Sequence, residues 1–361
     1  MKLSWLEDNS SVKKLHEVKM EDKNQFTKEE IFSQTKAWAG ALREVESKKK
    51  ALAEFDLENY DQVLFTGCGS TYYLSIAAAS LFQSQTGVMC KAVPGGEILM
   101  NPDTVYKGSN NLLFAISRSG STTETVYAVE QFRKDKGGKV ICITNYSDQP
   151  LLKLADLGFS IEEGQEQSIA QTRSFCSMYV AATAIAMLLS GNDALFNEMK
   201  KLPEIGKALM DKYHDFAKQI GEKVDFDRFY FLGSGFRYGL ACEANLKMKE
   251  MTLTHTEPFY FLEFRHGPKS MVTNKTVVVG MLSESGREYE EKVLDEMKGI
   301  GATIFSIGEK NADISFESDL PEVIRNILYL PLLQVMAYYR SLKKGLNPDK
   351  PRNLSTVVFL D

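Results

Sequence analysis

The sequence predicts an α/β protein made of two tandem domains, each a parallel sheet flanked by helices. Three observations carry that expectation. Short apolar runs rich in Val, Ile and Phe alternate with helical stretches, which is the order of elements a parallel sheet requires. Two motifs recur at one spacing: FTGCGS (65–70) returns as FLGSGF (231–236), and AISRSG (115–120) as MLSESG (281–286), each 166 residues later (233 − 67 and 283 − 117). The chain of 361 residues is also long enough for two domains of ordinary size, each with its own core.

Taken in order, residues 1–57 are expected to form a helical arm, because Ile31, Trp38, Leu42 and Val45 are spaced for one apolar face. The first domain is placed at 58–195. In it QVLF (62–65) reads as a strand, Gly67-Cys68-Gly69-Ser70 as a turn, and the alanine-rich stretch to Gln83 as a helix. NLLFAIS (111–117) and KVICIT (139–144) are further strands. A polar connector over 191–225 leads into the second domain, so that linker helix and domain together occupy 196–345. There TIFSI at 303 answers to VICIT at 140, 163 residues apart (303 − 140). A long apolar helix is expected over 321–344, and residues 346–361 form a tail containing NPDKPRNLSTVVFLD.

Composition narrows the function classes. With 43% hydrophobic and 25% charged residues the chain has the make-up of a soluble globular protein. No apolar run approaches the ~20 residues of a membrane span, and acidic residues arrive too early for a signal peptide, so a cytoplasmic location is expected. The five cysteines, Cys68, Cys90, Cys142, Cys176 and Cys242, are odd in number and never form C-x-x-C, which argues for reduced core thiols. The four histidines offer no H-x-x-x-H pair, so a metal centre is not expected. A net charge of −5 argues against general nucleic-acid binding. An anionic ligand must then be held locally, by a few donors.

SRSGSTTET (117–125) offers such donors. A strand ending at Ser117 and a helix beginning near Thr122 put hydroxyls and free backbone N–H groups around a helix N-terminus, an arrangement that suits a phosphate monoester. The same residues also suit a plain N-cap. The spacing is not that of a nucleotide P-loop. CGST (68–71) supplies a second hydroxyl turn, and in an open parallel sheet both turns face one crevice at the strands' C-terminal ends. Proton-transfer chemistry needs other groups. On a helix, Glu243, Lys247 and Glu250 fall on one face, which reads either as a solvated ion-pair face or as an active site. Sixteen residues after Glu250 comes His266, in a rigid turn (FRHGP, 264–268) flanked by aromatics.

With SRSGSTTET, CGST, E-x-x-x-K-x-x-E, FRHGP and PDKPRNL together, the chain resembles the sugar isomerase (SIS) domain family over about residues 30–361. The arrangement is the double-domain one, shared by the isomerase half of glucosamine-fructose-6-phosphate aminotransferase and by smaller phosphosugar isomerases and amino-sugar-phosphate deaminases. That resemblance implies two flavodoxin-like three-layer αβα domains. It implies that Ser117, Ser119 and Thr122, with Ser70 and Thr71, hold a sugar 6-phosphate, with Arg118 between the two serines. It implies that Glu250 shuttles a proton between C1 and C2 beside Glu243 and Lys247. His266 would open the sugar ring from the neighbouring subunit, so a homodimer with shared sites is implied.

The departures are informative. The aminotransferase carries an N-terminal glutaminase domain, and this sequence begins Met-Lys without one; use of glutamine is therefore not expected. That family's Schiff-base lysine after P-R-N-L is replaced by Ser355 and Thr356. SIAQTRSF (168–175) stands where the synthase has A-S-T-K-A-F, which brings Gln171 and Arg173 into the site. The resemblance therefore points to the deaminase and ketose-aldose isomerase branch, acting from glucosamine 6-phosphate toward fructose 6-phosphate by enediol or enolamine proton transfer without a cofactor. Two alternatives stay open: a deglycase acting on fructosamine 6-phosphates, and a non-catalytic sugar-phosphate sensor.

Overall fold

The structure, a computed structural model, describes residues 25–358 and Leu360. The first part of the expected helical arm, residues 1–24, lies outside the described residues. Its remainder is α1 (Gln25–Ser47), and the apolar stripe behaves as its spacing predicts, with Ile31, Trp38 and Val45 fully buried and Leu42 nearly so.

The first sheet contains β1 (Gln62–Gly67), β2 (Cys90–Pro94), β3 (Asn111–Ser117), β4 (Lys139–Thr144) and β5 (Leu157–Ser160) in the order β2-β1-β3-β4-β5. All four ladders are parallel. The second sheet contains β6 (Arg228–Leu232), β7 (His255–Phe259), β8 (Thr276–Met281), β9 (Thr303–Gly308) and β10 (Ile314–Ser315). Its order, β7-β6-β8-β9-β10, is the same 2-1-3-4-5 pattern, again parallel throughout. This is the flavodoxin-like doubly wound arrangement. Strands β1, β3 and β8 are buried along their whole length, as strands covered on both faces must be.

The duplication extends to backbone angles. β1 passes into α2 (Ser70–Thr86) through Gly69 at φ +59°, and β6 into α6 (Phe236–Thr252) through Gly235, also at φ +59°. Glycine takes this left-handed conformation without the Cβ penalty, so the turn repeats where the sequence repeats. α2 runs slightly past Gln83 because its left-handed stop, Gly87, comes later.

Each sheet is a middle layer. α3 (Thr123–Lys136) covers the outer face of the first sheet, packing Ala128, Val129 and Phe132 on Leu113, Ala115 and Val140. α7 (Arg287–Gly299) covers the second, with Val293, Leu294 and Met297 against Tyr230, Leu232 and Val278. The inner faces share one continuous core, which includes Phe65 and Phe114 from one sheet, Phe229 and Phe231 from the other, and α4 (Arg173–Leu189) between them. The connector forms α5 (Leu202–Glu222), where Gly206 fits against the Trp38 ring: a Cβ there would sit 2.2 Å from it.

The helix expected over 321–344 is shorter in the structure. α8 begins at Pro331 and ends at Lys343, after a 3-10 turn over Asn326–Tyr329. Proline has no N–H to donate and a ring that favours the first helical turn, so the apolar run is divided at that residue. No helix among the described residues is long and apolar enough to cross a membrane.

Candidate active site

The hydroxyl turn follows β3 at the C-terminal edge of the first sheet. Gly120, at φ +66°, lets the chain reverse where a Cβ would lie 2.7 Å from the Gln149 side chain. Ser117 Oγ accepts from Gly120 N at 3.1 Å and lies 3.3 Å from Thr122 Oγ1, while Ser119 Oγ accepts from Ser121 N at 3.2 Å. Thr122 is the N-cap of α3 but makes no capping bond with its side chain. Thr125 N already donates to Thr122 O at 3.1 Å, which leaves the N–H groups of Thr123 and Glu124 at the start of α3 for an anion in front of the helix. The equivalent turn of the second domain is closed from within. Gly286 N again donates to Ser283 Oγ, at 2.8 Å, but Ser283 N already donates to the buried Glu290 carboxylate at 2.6 Å.

The second turn divides its hydroxyls. Thr71 Oγ1 accepts from Cys68 N at 2.9 Å and donates to Cys68 O at 3.0 Å, so this hydroxyl stabilises the turn itself. Ser70 faces the other domain. α2 and α6 approach so closely that a Cβ on Gly239 would lie 2.5 Å from Ala77 N. That contact brings Lys247 Nζ to Ser70 Oγ at 3.2 Å.

Lys247 is the hub of the helical face read from the sequence. It donates to Glu250 Oε2 at 2.7 Å and pairs with Glu243 Oε1 at 3.4 Å. The Lys247 and Glu243 side chains are 2% and 0% exposed, against 19% for Glu250. The face is therefore no solvated ion-pair surface. Neither Glu243 oxygen has a hydrogen-bond partner among the described residues. Burial pushes its carboxyl up to about 8, with Lys247 pulling it back and Glu250 pushing it further. Burial acts to lower the Lys247 ammonium, but the two carboxylates outweigh this and raise it, so it stays charged. A charged Lys247 has no lone pair to attack with, and its bonds to Glu250 and Ser70 suit it to support Glu250 rather than to act as a nucleophile.

A stability prediction follows from Glu243. Its folded carboxyl titrates above the usual value, so the native state holds a proton that the unfolded chain gives up. Stability is full below the ordinary carboxylate range and falls as pH rises through about 8. Glu243→Gln removes this dependence. Thermal unfolding followed from about pH 5 to about pH 9 should show the variant losing less stability than the parent; an equal loss at every pH would assign the carboxyl an ordinary ion-pair role.

The loop 165–172 meets the first hydroxyl turn through Arg118. Gln171 Oε1 is buried without a partner, whereas Arg173 is engaged by Ser33 Oγ at 2.8 Å and by Gln165 O. Arg118 does not face the hydroxyls beside it. Its guanidinium donates to Ser168 O at 3.2 Å, Ile169 O at 2.9 Å and Thr356 O at 2.8 Å, and sits 3.8 Å from buried Glu166.

Sequence reasoning missed the carboxylates that hold this region. Glu30 accepts from Gln167 N at 2.6 Å and from Ser168, and Glu166 accepts from Thr172 N at 2.7 Å. Burial, and then the charge of Glu166, push the Glu30 carboxyl above its usual range. Asp349 accepts from Thr27 N at 2.8 Å and Thr27 Oγ1 at 2.6 Å, pinning the tail to α1. The available signal was Glu30 itself, a carboxylate next to Ile31 on the apolar side of α1.

The pinned tail walls a cavity of about 210 Å³ whose lining includes Glu250, Leu253, Lys350, Pro351 and Arg352. His266 is not brought to Glu250's cavity. It is exposed, in the loop after Phe261–Phe264, held through its backbone N–H to Glu263 O at 3.0 Å. The cysteines are all free thiols, three of them buried.

Comparison with known proteins adds to this geometry. The chain is 29% identical over 372 residues to a glutamine–fructose-6-phosphate aminotransferase (isomerizing) of Pyrococcus horikoshii, covering 97% of this chain and 61% of that protein. It thus spans about three fifths of the length of the curated relatives it matches. Among solved structures it is similar to glucosamine-6-phosphate deaminase of Thermotoga maritima, with 29% identity, a TM-score of 0.74, and 89% of this chain and 100% of that one covered. It is also similar to tagatose-6-phosphate ketose/aldose isomerase of Escherichia coli, with 25% identity, a TM-score of 0.79, and coverage of 90% and 94%. The SIS domain profile matches residues 56–188 and again residues 224–321. Two matches to one domain, laid over two sheets of one strand order, make this chain a member of the SIS domain family that carries the domain twice.

Proposed function

We propose that the chain is a phosphosugar isomerase, and more finely an amino-sugar-phosphate deaminase. The observation that carries this reading is the link from Lys247 to Ser70, 3.2 Å, which joins the base-bearing helix of one domain to the hydroxyl turns of the other. Similarity to proteins named as a glucosamine-6-phosphate deaminase and a ketose/aldose isomerase supports it.

In this reading the 6-phosphate accepts hydrogen bonds from Ser117, Ser119, Thr122 and the open N–H groups of α3, with Gln171 donating or accepting at a sugar hydroxyl. The ring is opened with the help of His266 from a second copy of the chain. Glu250, held by Lys247 and partly open to its cavity, takes the proton from C2 and returns it at C1. A positioned base of this kind contributes about 10²–10⁴-fold. The C2 imine then adds water, the carbon–nitrogen bond breaks with its electron pair going to nitrogen, and ammonia leaves a ketose phosphate.

The test is ammonia release from a panel of amino-hexose 6-phosphates and their unphosphorylated forms. Ser119→Ala should raise KM for the phosphate esters by about 10–150-fold, because each lost charge-assisted hydrogen bond costs ~1.5–3 kcal/mol. The unphosphorylated sugars should be poor substrates for parent and variant alike. Equal affinity for a sugar and its 6-phosphate overturns the phosphate site.

One observation favours a second reading. Lys350 and Arg352, on the cavity beside Glu250, make no ion pair among the described residues. They suit a leaving amine that carries a carboxylate, as in a fructosamine 6-phosphate. Adding such compounds to the panel separates release of an amino acid from release of ammonia.

A further inference from the structure

Arg118 belongs to the hydroxyl turn by its backbone and to two other segments by its side chain. Its carbonyl accepts from Asn145 N and Thr144 Oγ1, both at 3.1 Å, so the residue is anchored to the end of β4. The guanidinium is almost fully buried and reaches the Gln171 loop at Ser168 and Ile169 and the tail at Thr356. These two segments also meet each other, since Ile169 N donates to Asp349 O at 3.0 Å. The tail in turn walls the Glu250 cavity.

The anchors are unequal along the tail. Asp349 is 4% exposed and tied to Thr27, and Pro351 is buried. Residues 352–356 are all exposed. The bond from Arg118 to Thr356 holds this last stretch, which has little packing of its own. A segment held by so few contacts is one whose position a modest change elsewhere can bias.

We propose that Arg118 is a positioning residue through which occupation of the hydroxyl turn sets the tail and the Gln171 loop around the reacting end of the substrate. This rests on the phosphate reading of that turn. The guanidinium does not contact the phosphate. Its N–H groups serve the three carbonyls, so binding energy gained at the phosphate is transmitted by the turn's geometry to the walls of the Glu250 cavity. Energy from a non-reacting part of a substrate is in this way used at the reacting part.

The test supplies the substrate in two pieces, an unphosphorylated amino sugar and free phosphite dianion. In the unaltered protein phosphite should raise turnover of the amino sugar about ten-fold or more and slow tryptic cleavage after exposed Arg352. Arg118→Met should still bind phosphite, measured as competition against a sugar 6-phosphate with an inhibition constant shifted by no more than the lost coupling factor, while losing both the activation and the protection. Free guanidinium should restore activation to Arg118→Ala, and Arg118→Lys should keep part of it, which a variant that merely misfolds would not do. Full activation of Arg118→Met overturns the proposal. So does loss of phosphite binding in that variant, which would make Arg118 a direct ligand. If the unaltered protein binds phosphite without being activated, the coupling is wrong and the phosphate site stands; if it neither binds phosphite nor discriminates against unphosphorylated sugars, the phosphate reading itself has failed.

Discussion

Glu250→Gln is expected to lower turnover by about 10²–10⁴-fold, the usual contribution of a positioned general base. Exchange of the C2 proton with solvent deuterium should be abolished, while sugar-phosphate binding persists. The substitution keeps the side chain's size and leaves an oxygen to accept from Lys247 Nζ, now 2.7 Å from Glu250 Oε2. It removes the negative charge, and with it the capacity to take a proton. Binding should survive because the hydroxyl turn belongs to the other domain and its bonds do not involve Glu250. The measurements are deuterium incorporation by magnetic resonance and calorimetric titration with the sugar phosphate. Undiminished exchange would move the role to Glu243. That residue is a poor candidate on the geometry: it is fully buried, it does not line the cavity, and burial holds its carboxyl at about 8. An equal loss of binding and turnover would instead make Glu250 a structural partner of Lys247.

What the sequence disclosed was whatever repeats or runs without interruption. QVLF and NLLFAIS are strands because they are apolar on both faces, and they are buried on both. The face shared by Glu243, Lys247 and Glu250 follows from helical spacing alone. The edge strands were not legible. β2, β5 and β7 are only partly buried, so they mix polar and apolar residues without a clear period, and β10 is two residues long. Side-chain direction was not legible either. Arg118 and Thr71 stand among the site's hydroxyls in sequence, but one is turned to carbonyls of a distant loop and the other to its own turn. The anchors of the site join residues far apart in the chain, 137 positions for Glu30 with Gln167 and 322 for Thr27 with Asp349. No local pattern encodes such pairs; they exist only once the domains pack.

The exposed position of His266 leads to the other large expected effect. Mixing two inactive variants, Glu250→Gln and His266→Ala, should restore activity if His266 acts across subunits. In a hybrid dimer one of the two sites then combines Glu250 from one chain with His266 from the other. Random exchange makes about half of the dimers hybrid, so recovery should approach roughly a quarter of the unaltered activity. The expectation has a structural ground. Within one chain His266 stands in a loop beyond Phe261–Phe264, outside the lining of the Glu250 cavity, and its ring has no hydrogen-bond partner among the described residues. Close by in sequence, Tyr260, Leu262 and Met271 are exposed, between 43% and 51%, an amount of apolar surface suited to being covered by a second copy. Differently tagged chains, captured through one tag and probed for the other, establish that hybrids form. If they form and remain inactive, His266 does not act across subunits, whichever residue carries the proton.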